Sequence, residues 1–179
     1  EPTANVTLTL SDNDSTEVTA SPTSLSFSSG NWSVAQWITL TGKDDNVSDD
    51  NQTVLLTLTP SSSDSKYNSS SLAQTLTVTT LDDADTVGLV LSKSSGVVSE
   101  NGSVSDNFSV VLTSEPTDNV TLTLSDNDST EVSATPSTLS FGSGNWSVAQ
   151  WVTLTGKDDN VSDDNQSVLL TLTPSSSDS

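Results

Sequence analysis

The feature that most restricts how this chain folds is an internal repeat. EPTANVTLTLSDNDSTEV opens at Glu1 and EPTDNVTLTLSDNDSTEV opens at Glu115, an offset of 114 residues. Aligned over 1–65 and 115–179, the copies agree at 57 of 65 positions, and five of the eight differences are Ser/Thr exchanges. Near-identical copies must share a fold, so the problem reduces to one unit repeated about one and a half times over 179 residues. Both ends of the chain are expected to fall inside a repeat.

Within each copy the apolar residues alternate with polar ones, the period of a half-buried strand. Val6, Leu8 and Leu10 share one face, and Thr7 and Thr9 the other. The same alternation sets Leu25 with Phe27, Ile38 with Leu40, Val54 with Leu56 and Leu58, and Leu76 with Val78. Leu89 with Leu91 opens the next unit, and Phe108, Val110 and Leu112 continue it. The outward positions are mostly Thr and Ser, which suit a pleated, wet surface. Between the runs lie SDND, SSGN, TGKDDNVSDDN and SSSDSKYN, all rich in turn formers. No stretch has the helical period of 3.6. Short strands at roughly ten-residue spacing predict an all-β, antiparallel sandwich.

The repeat phase places a domain boundary near Thr86, between LDDADT and GLVLSKSSGVVSE. Residues 1–86 are then expected to be a domain lacking its first strands, and 87–179 a domain lacking its last. The linker carries no Gly/Ser tract, which predicts a semi-rigid join.

Twenty-four acidic residues face four Lys and no Arg, a net charge of −20. That charge argues against nucleic acid and anionic membrane surfaces as partners. No apolar run is long enough to span a bilayer. Cysteine and histidine are both absent, so a disulfide framework, thiol catalysis, a serine triad and a zinc site are excluded within the segment. A carboxylate pair serving as glycosidase acid and base needs a pocket that raises one pKa. Here the acids sit in polar turns, and phosphate-cradling Gly-rich loops are missing. The expectation is a protein that is not an enzyme.

The order VSENGS, FSVVLTSEP, VTLTLSDNDSTEV, LSF-x-SGNW, TGKDDNVSDD and the closing DDAD resembles a Calx-β domain, in the variant found in long arrays on large extracellular proteins. The resemblance covers essentially the whole chain. It implies an immunoglobulin-like antiparallel sandwich, often with calcium held at one tip, in proteins of adhesion, matrix and ion-exchange regulation. Fold alone does not choose among those roles.

Calcium takes six to eight hard oxygen ligands, and loops dense in carboxylates supply them. Two carboxylates about 5 Å apart repel by roughly 3 kcal/mol at an effective dielectric near 20, so a tip packed with them favours a cation. Carried over residue by residue, the resemblance implies metal ligands at Asp44, Asp45, Asp49, Asp50, Asp82, Asp83 and Asp85 in the first copy. In the second it implies Glu100, Asp158, Asp159, Asp163 and Asp164, with Asp14 or Asp128 as a further carboxylate from the preceding loop. Gln52 and Gln166 stand where the family often has Glu, and Lys43 and Lys157 adjoin the clusters, which predicts weaker sites or fewer ions. The competing reading is a solvated acidic surface suited to salty water.

All thirteen Asn occupy N-x-S/T sequons: Asn5, Asn13, Asn31, Asn46, Asn51, Asn68, Asn101, Asn107, Asn119, Asn127, Asn145, Asn160 and Asn165. Sequons belong on exposed loops of secreted proteins, so N-linked glycans are expected on some of them. The plainer account is Asn in the turns of a chain with 64 Ser and Thr. Trp32 and Trp146, in the GNW turn, are expected to cap the core. Trp37 and Trp151 have the opposite parity to Ile38 and Leu40 and are expected to face outward, where an indole can stack on a sugar or meet an adjoining domain.

Extracellular or cell-surface placement follows, and three roles stand. The favoured one is a stalk or spacer repeat of a giant adhesin or filament, stiffened by calcium, glycosylated and contacting neighbouring repeats of the same protein. The alternatives are self-assembly of copies into a sheath, S-layer or filament, and a carbohydrate-binding module using Trp37 and Trp151.

Overall fold

The computed structural model describes every residue except Ala84, Asp159, Asn160, Asp163 and Ser179. It is all-β: among the described residues there are thirteen strands and a single 3-10 turn at Ser70–Leu72. The chain forms two compact units. Unit 1 comprises Glu1–Asp45 and Asp49–Ala84, and unit 2 comprises Asn46–Ser48 and Asp85–Ser179.

Unit 2 is the better-covered sandwich. One sheet has the order β10 (Val132–Thr135), β12 (Gln150–Gly156), β8 (Ser105–Leu112), β7 (Leu89–Leu91). The other has β11 (Thr138–Phe141), β9 (Val120–Asp126), β13 (Leu170–Ser175). Alternation decides which side chains enter. Phe108, Val110 and Leu112 of β8 and Val152 and Leu154 of β12 meet Leu122, Leu124, Leu139 and Phe141 in one continuous core. Fully burying side chains of this kind stabilises by about 1.5–3 kcal/mol each.

Unit 1 uses nearly the same residues with a different result. Its sheets are β3 (Ser24–Phe27), β1 (Val6–Asp12), β5 (Gln52–Ser62), β6 (Gln74–Thr80), and the pair β2 (Val18–Ser21) with β4 (Thr39–Gly42). Its buried cluster holds only Val18, Val54 and Leu56, with Leu10, Leu40 and Val78 packed partly against it. Pro60 lies in β5 past the last β5–β6 pair, Leu58↔Gln74, where β5 is an edge and a missing N–H does no harm. Asp64, almost fully buried, accepts the N–H groups of Thr3 at 2.8 Å and Lys66 at 3.0 Å. Those two backbone donors hold its carboxyl below the ordinary carboxylate pKa.

Four expectations of facing need correction, the first being Leu89 and Leu91 of β7, which are exposed rather than inward. Leu76, assigned inward with Val78, is 55% exposed on β6, the edge strand of its sheet. Ile38 falls outside β4, which starts at Thr39, although its copy Val152 lies within β12. Trp146 packs against the core of unit 2 as expected, but its copy Trp32 is 49% exposed.

Candidate metal centre

Two strand registers build an acidic cleft at one end of unit 1. Pairing of β2 with β4 sets Val18 opposite Gly42, so Glu17 and Lys43 leave the sheet together, and the Lys43 N–H donates to the Glu17 carbonyl at 2.8 Å. Pairing of β5 with β6 sets Gln52 opposite Thr80, so the loop before β5 and the segment after β6 emerge side by side. There the Asp82 N–H donates to Asn51 Oδ1 at 3.0 Å. The two sheets are tied by Thr80 Oγ1, which donates to the Glu17 carboxylate at 2.8 Å.

The result is a cavity of about 260 Å³ lined by Asp44, Asp45, Asp49, Asp50, Asp82 and Asp83, with Glu17 and Thr80 in its wall. Asp82 and Asp83 each offer a carboxylate oxygen within 4.8 Å of the other. Asp50 has a left-handed backbone, φ 62°, which Asp adopts more readily than most side chains and which turns the chain into β5. Gln52, in place of an acid, uses Nε2 to hold the Asp49 carbonyl at 2.6 Å. Lys43 also lines the cavity, but its ammonium donates to the Ser15 carbonyl at 2.6 Å.

Glu17 was not among the sequence candidates. It is 9% exposed, the most enclosed carboxylate of this cleft. A signal for it existed: Glu17 directly precedes the inward Val18 at a strand start, and it is the only Glu between Glu1 and Glu100. The candidates Asp14 and Asp128 do not line the cleft. Each accepts the side-chain hydroxyl and the backbone N–H of the Thr two residues on, Thr16 and Thr130, and these bonds lower its pKa.

Asp85, half-buried, belongs to unit 2. In that unit the backbone of Ser99 and Glu100 packs against Gly156. A Cβ added at Gly156 would lie 2.4 Å from the Ser99 carbonyl oxygen and 3.0 Å from the Glu100 nitrogen. Glu100 is thereby held beside the strand end that leads to Asp158, and its side chain, like those of Asp158 and Asp164, is exposed. The candidates Asp159 and Asp163, and the sequon Asn160, lie outside the described residues.

The sequon asparagines divide by what their side chains do. Asn31 and Asn145 donate Nδ2, the glycan-accepting atom, to the carbonyls of Ser26 and Ser140 at 3.2 Å, and their Oδ1 atoms accept the N–H of Ser28 and Gly142. Asn13 and Asn127 accept the N–H of Leu55 and Leu169 at 2.6 Å each. Asn51 accepts the N–H of Asp82 across the strand ends, and Asn101 accepts the N–H of Ser103 within a turn. Asn5, Asn46, Asn68, Asn107, Asn119 and Asn165 are exposed. Trp37 and Trp151 face outward, 83% and 57% exposed.

The donor set suits a hard cation. Seven carboxylate residues line one cavity, with neither a soft ligand nor an imidazole among them, although of the seven only Asp82 and Asp83 fall in a close group, their oxygens within 4.8 Å of each other; calcium takes six to eight oxygens from such groups. Comparison with family models, with characterised proteins and with solved structures found no match.

Proposed function

We propose that the chain is a calcium-binding structural repeat segment of a large secreted or cell-surface protein, built on immunoglobulin-like sandwiches and carrying N-linked glycans. The observation that carries this reading is the acidic end of unit 1, where Glu17 and six Asp line one open cavity. Stacking that much negative charge at one end is unfavourable unless a cation offsets it. Glu17, Asp44, Asp45, Asp49, Asp50, Asp82 and Asp83 would hold the ion, and its role is to stabilise the repeat. The charge, the Ser/Thr-rich outward faces and the exposed sequons support an extracellular stalk or filament. The resemblance to Calx-β repeats supports it too.

Titration calorimetry of the full chain with calcium, and with magnesium as comparison, tests the reading. Heat saturating at one or two calcium ions per chain, with a rise in melting temperature reversed by chelator, is the expected result. An unchanged melting temperature, with no calorimetric signal beyond dilution, sinks it.

The exposure of Trp37 favours a second reading, a sugar-stacking surface. A glycan array on which the chain binds, and on which Trp37→Ala with Trp151→Ala does not, would establish it in place of a purely structural role.

A further inference from the structure

On unit 2 the outward face of β8 and β12 brings a sequon and an indole together. Phe108 and Val110 of β8 and Val152 of β12 point into the core. Alternation therefore turns Asn107, Ser109 and Val111 outward on β8, and Trp151 and Thr153 outward on β12. The sequon is Asn107-Phe108-Ser109, so its acceptor and its hydroxyl residue share the outer face while the residue between them is buried.

Strand register sets the separations. Ser109 lies opposite Trp151, and Asn107 opposite Thr153. Ser109 directs both backbone groups away from β12: its N–H donates to Ser92 Oγ at 2.9 Å, and its carbonyl accepts the Ser92 N–H at 3.0 Å. Ser109 and Trp151 are thus a non-hydrogen-bonded pair, in which Cα atoms stand about 4.5 Å apart and side chains are closest. Asn107 is then the diagonal neighbour of Trp151, at roughly 7–8 Å, and only the small side chains of Ser109 and Thr153 flank that diagonal. Both ends of it are open, since Asn107 is exposed and Trp151 is 57% exposed. The Asn107 backbone N–H donates to Asp106 Oδ1 at 2.8 Å, and among the described residues nothing holds its Nδ2, in contrast to Asn145.

We propose that Asn107 carries a glycan whose first sugar ring lies flat on the Trp151 indole. The proposal rests on the reading of the chain as glycosylated and names the site where the glycan acts. The donor class is an oligosaccharide linked to an isoprenoid diphosphate. Asn107 Nδ2 bonds to the anomeric carbon and gives up a proton, and the diphosphate leaves with the electron pair of the broken C–O bond. A pyranose joined at Nδ2 extends along the diagonal, over Ser109 and Thr153. Its C–H face meets the negative face of the indole, a pairing that removes exposed apolar surface from water. The apolar strip continues in half-buried Val111 and in Val90, 51% exposed, which pair across β7 and β8. Attached to β8 and stacked on β12, the sugar braces the two strands against each other.

The test expresses the full chain in a eukaryotic secretory host, maps sequon occupancy by glycopeptide mass spectrometry and trims each glycan to one N-acetylglucosamine. Expected on the unsubstituted chain are an occupied Asn107, nuclear Overhauser contacts between its sugar and the Trp151 indole, and upfield ring-current shifts of the sugar protons. Asn107→Gln, which removes the glycan, should lower the melting temperature of the parent by about 2–4 °C and change nothing in a Trp151→Ala background. Spectra of the unsubstituted chain keep the test independent of how the variants fold. An occupied Asn107 whose sugar makes no contact with Trp151 overturns the proposal, as does an equal loss in both backgrounds. Asn107 bare while other sequons are occupied also overturns it, and leaves the glycoprotein reading standing. All sequons bare overturns both.

Discussion

Thr80 Oγ1 donates to the Glu17 carboxylate across 2.8 Å, joining the last residue of β6 in one sheet of unit 1 to the residue before β2 in the other. This single bond closes the back of the acidic cleft and orients its most enclosed carboxylate. It also makes Glu17 the natural place to probe the site.

Glu17→Gln keeps an acceptor for Thr80 and removes one negative charge. Without calcium the variant should melt at the same temperature as the parent or slightly higher, since one repulsive partner is gone. With calcium the stabilisation should shrink. An ion present at 100 times its Kd stabilises by about 2.7 kcal/mol, and a weaker Kd lowers that directly. Calorimetric melts with calcium and with chelator read both effects.

The same glycine in the two copies should respond oppositely to alanine. At Gly156 a Cβ meets the Ser99 carbonyl oxygen at 2.4 Å, and backbone cannot step aside, so Gly156→Ala should destabilise unit 2 by about 1–3 kcal/mol. At Gly42 the nearest group is Thr80 Cγ2 at 3.9 Å, ordinary contact, so Gly42→Ala should be close to neutral. Hydrogen exchange resolved to each unit separates the two.

Phe141→Ala should cost unit 2 about 3–5 kcal/mol, the usual cost of emptying a fully buried aromatic position. Phe27→Ala, the same change in the other copy, should cost only about 1–2 kcal/mol because Phe27 is already half-buried. Equal losses in urea denaturation would contradict the difference in coverage between the copies.

Acid should weaken unit 1 partly through Asp64. The Thr3 and Lys66 amides depress its folded pKa. A depressed carboxyl contributes stability that is full above its unfolded pKa, near 4, and is lost as pH falls through the folded value. Denaturation midpoints should therefore be flat from neutral to about pH 5 and drop below about pH 4. Asp64→Asn should lower the plateau and flatten the drop.

Much of this was legible in the residues because strand alternation is local. Phe108, Val110, Leu112, Val152 and Leu154 face the core as their parity predicts, and Trp37 and Trp151 face out. The six cleft aspartates were legible as well, since they crowd two turn segments. Glu17 was not, because it stands alone in sequence and meets the others only when the β2–β4 and β5–β6 registers bring three strand ends together. The sequons looked uniform, yet Asn31 and Asn145 proved to be cross-links of the strand corner through the nitrogen a glycan would need.

The sequence by itself determined the repeat, the all-β class and which face of each strand is apolar, since these depend on spacing along the chain. The repeat phase also predicts that 1–86 lacks its first strands; tertiary structure decided which apolar residues that leaves uncovered. Leu25, Phe27 and Ile38 have nearly the same neighbours in sequence as Leu139, Phe141 and Val152, yet only the second set is buried. Burial belongs to the strand lying alongside, and β8 lies beside β12 while no described strand lies beside the free edge of β4.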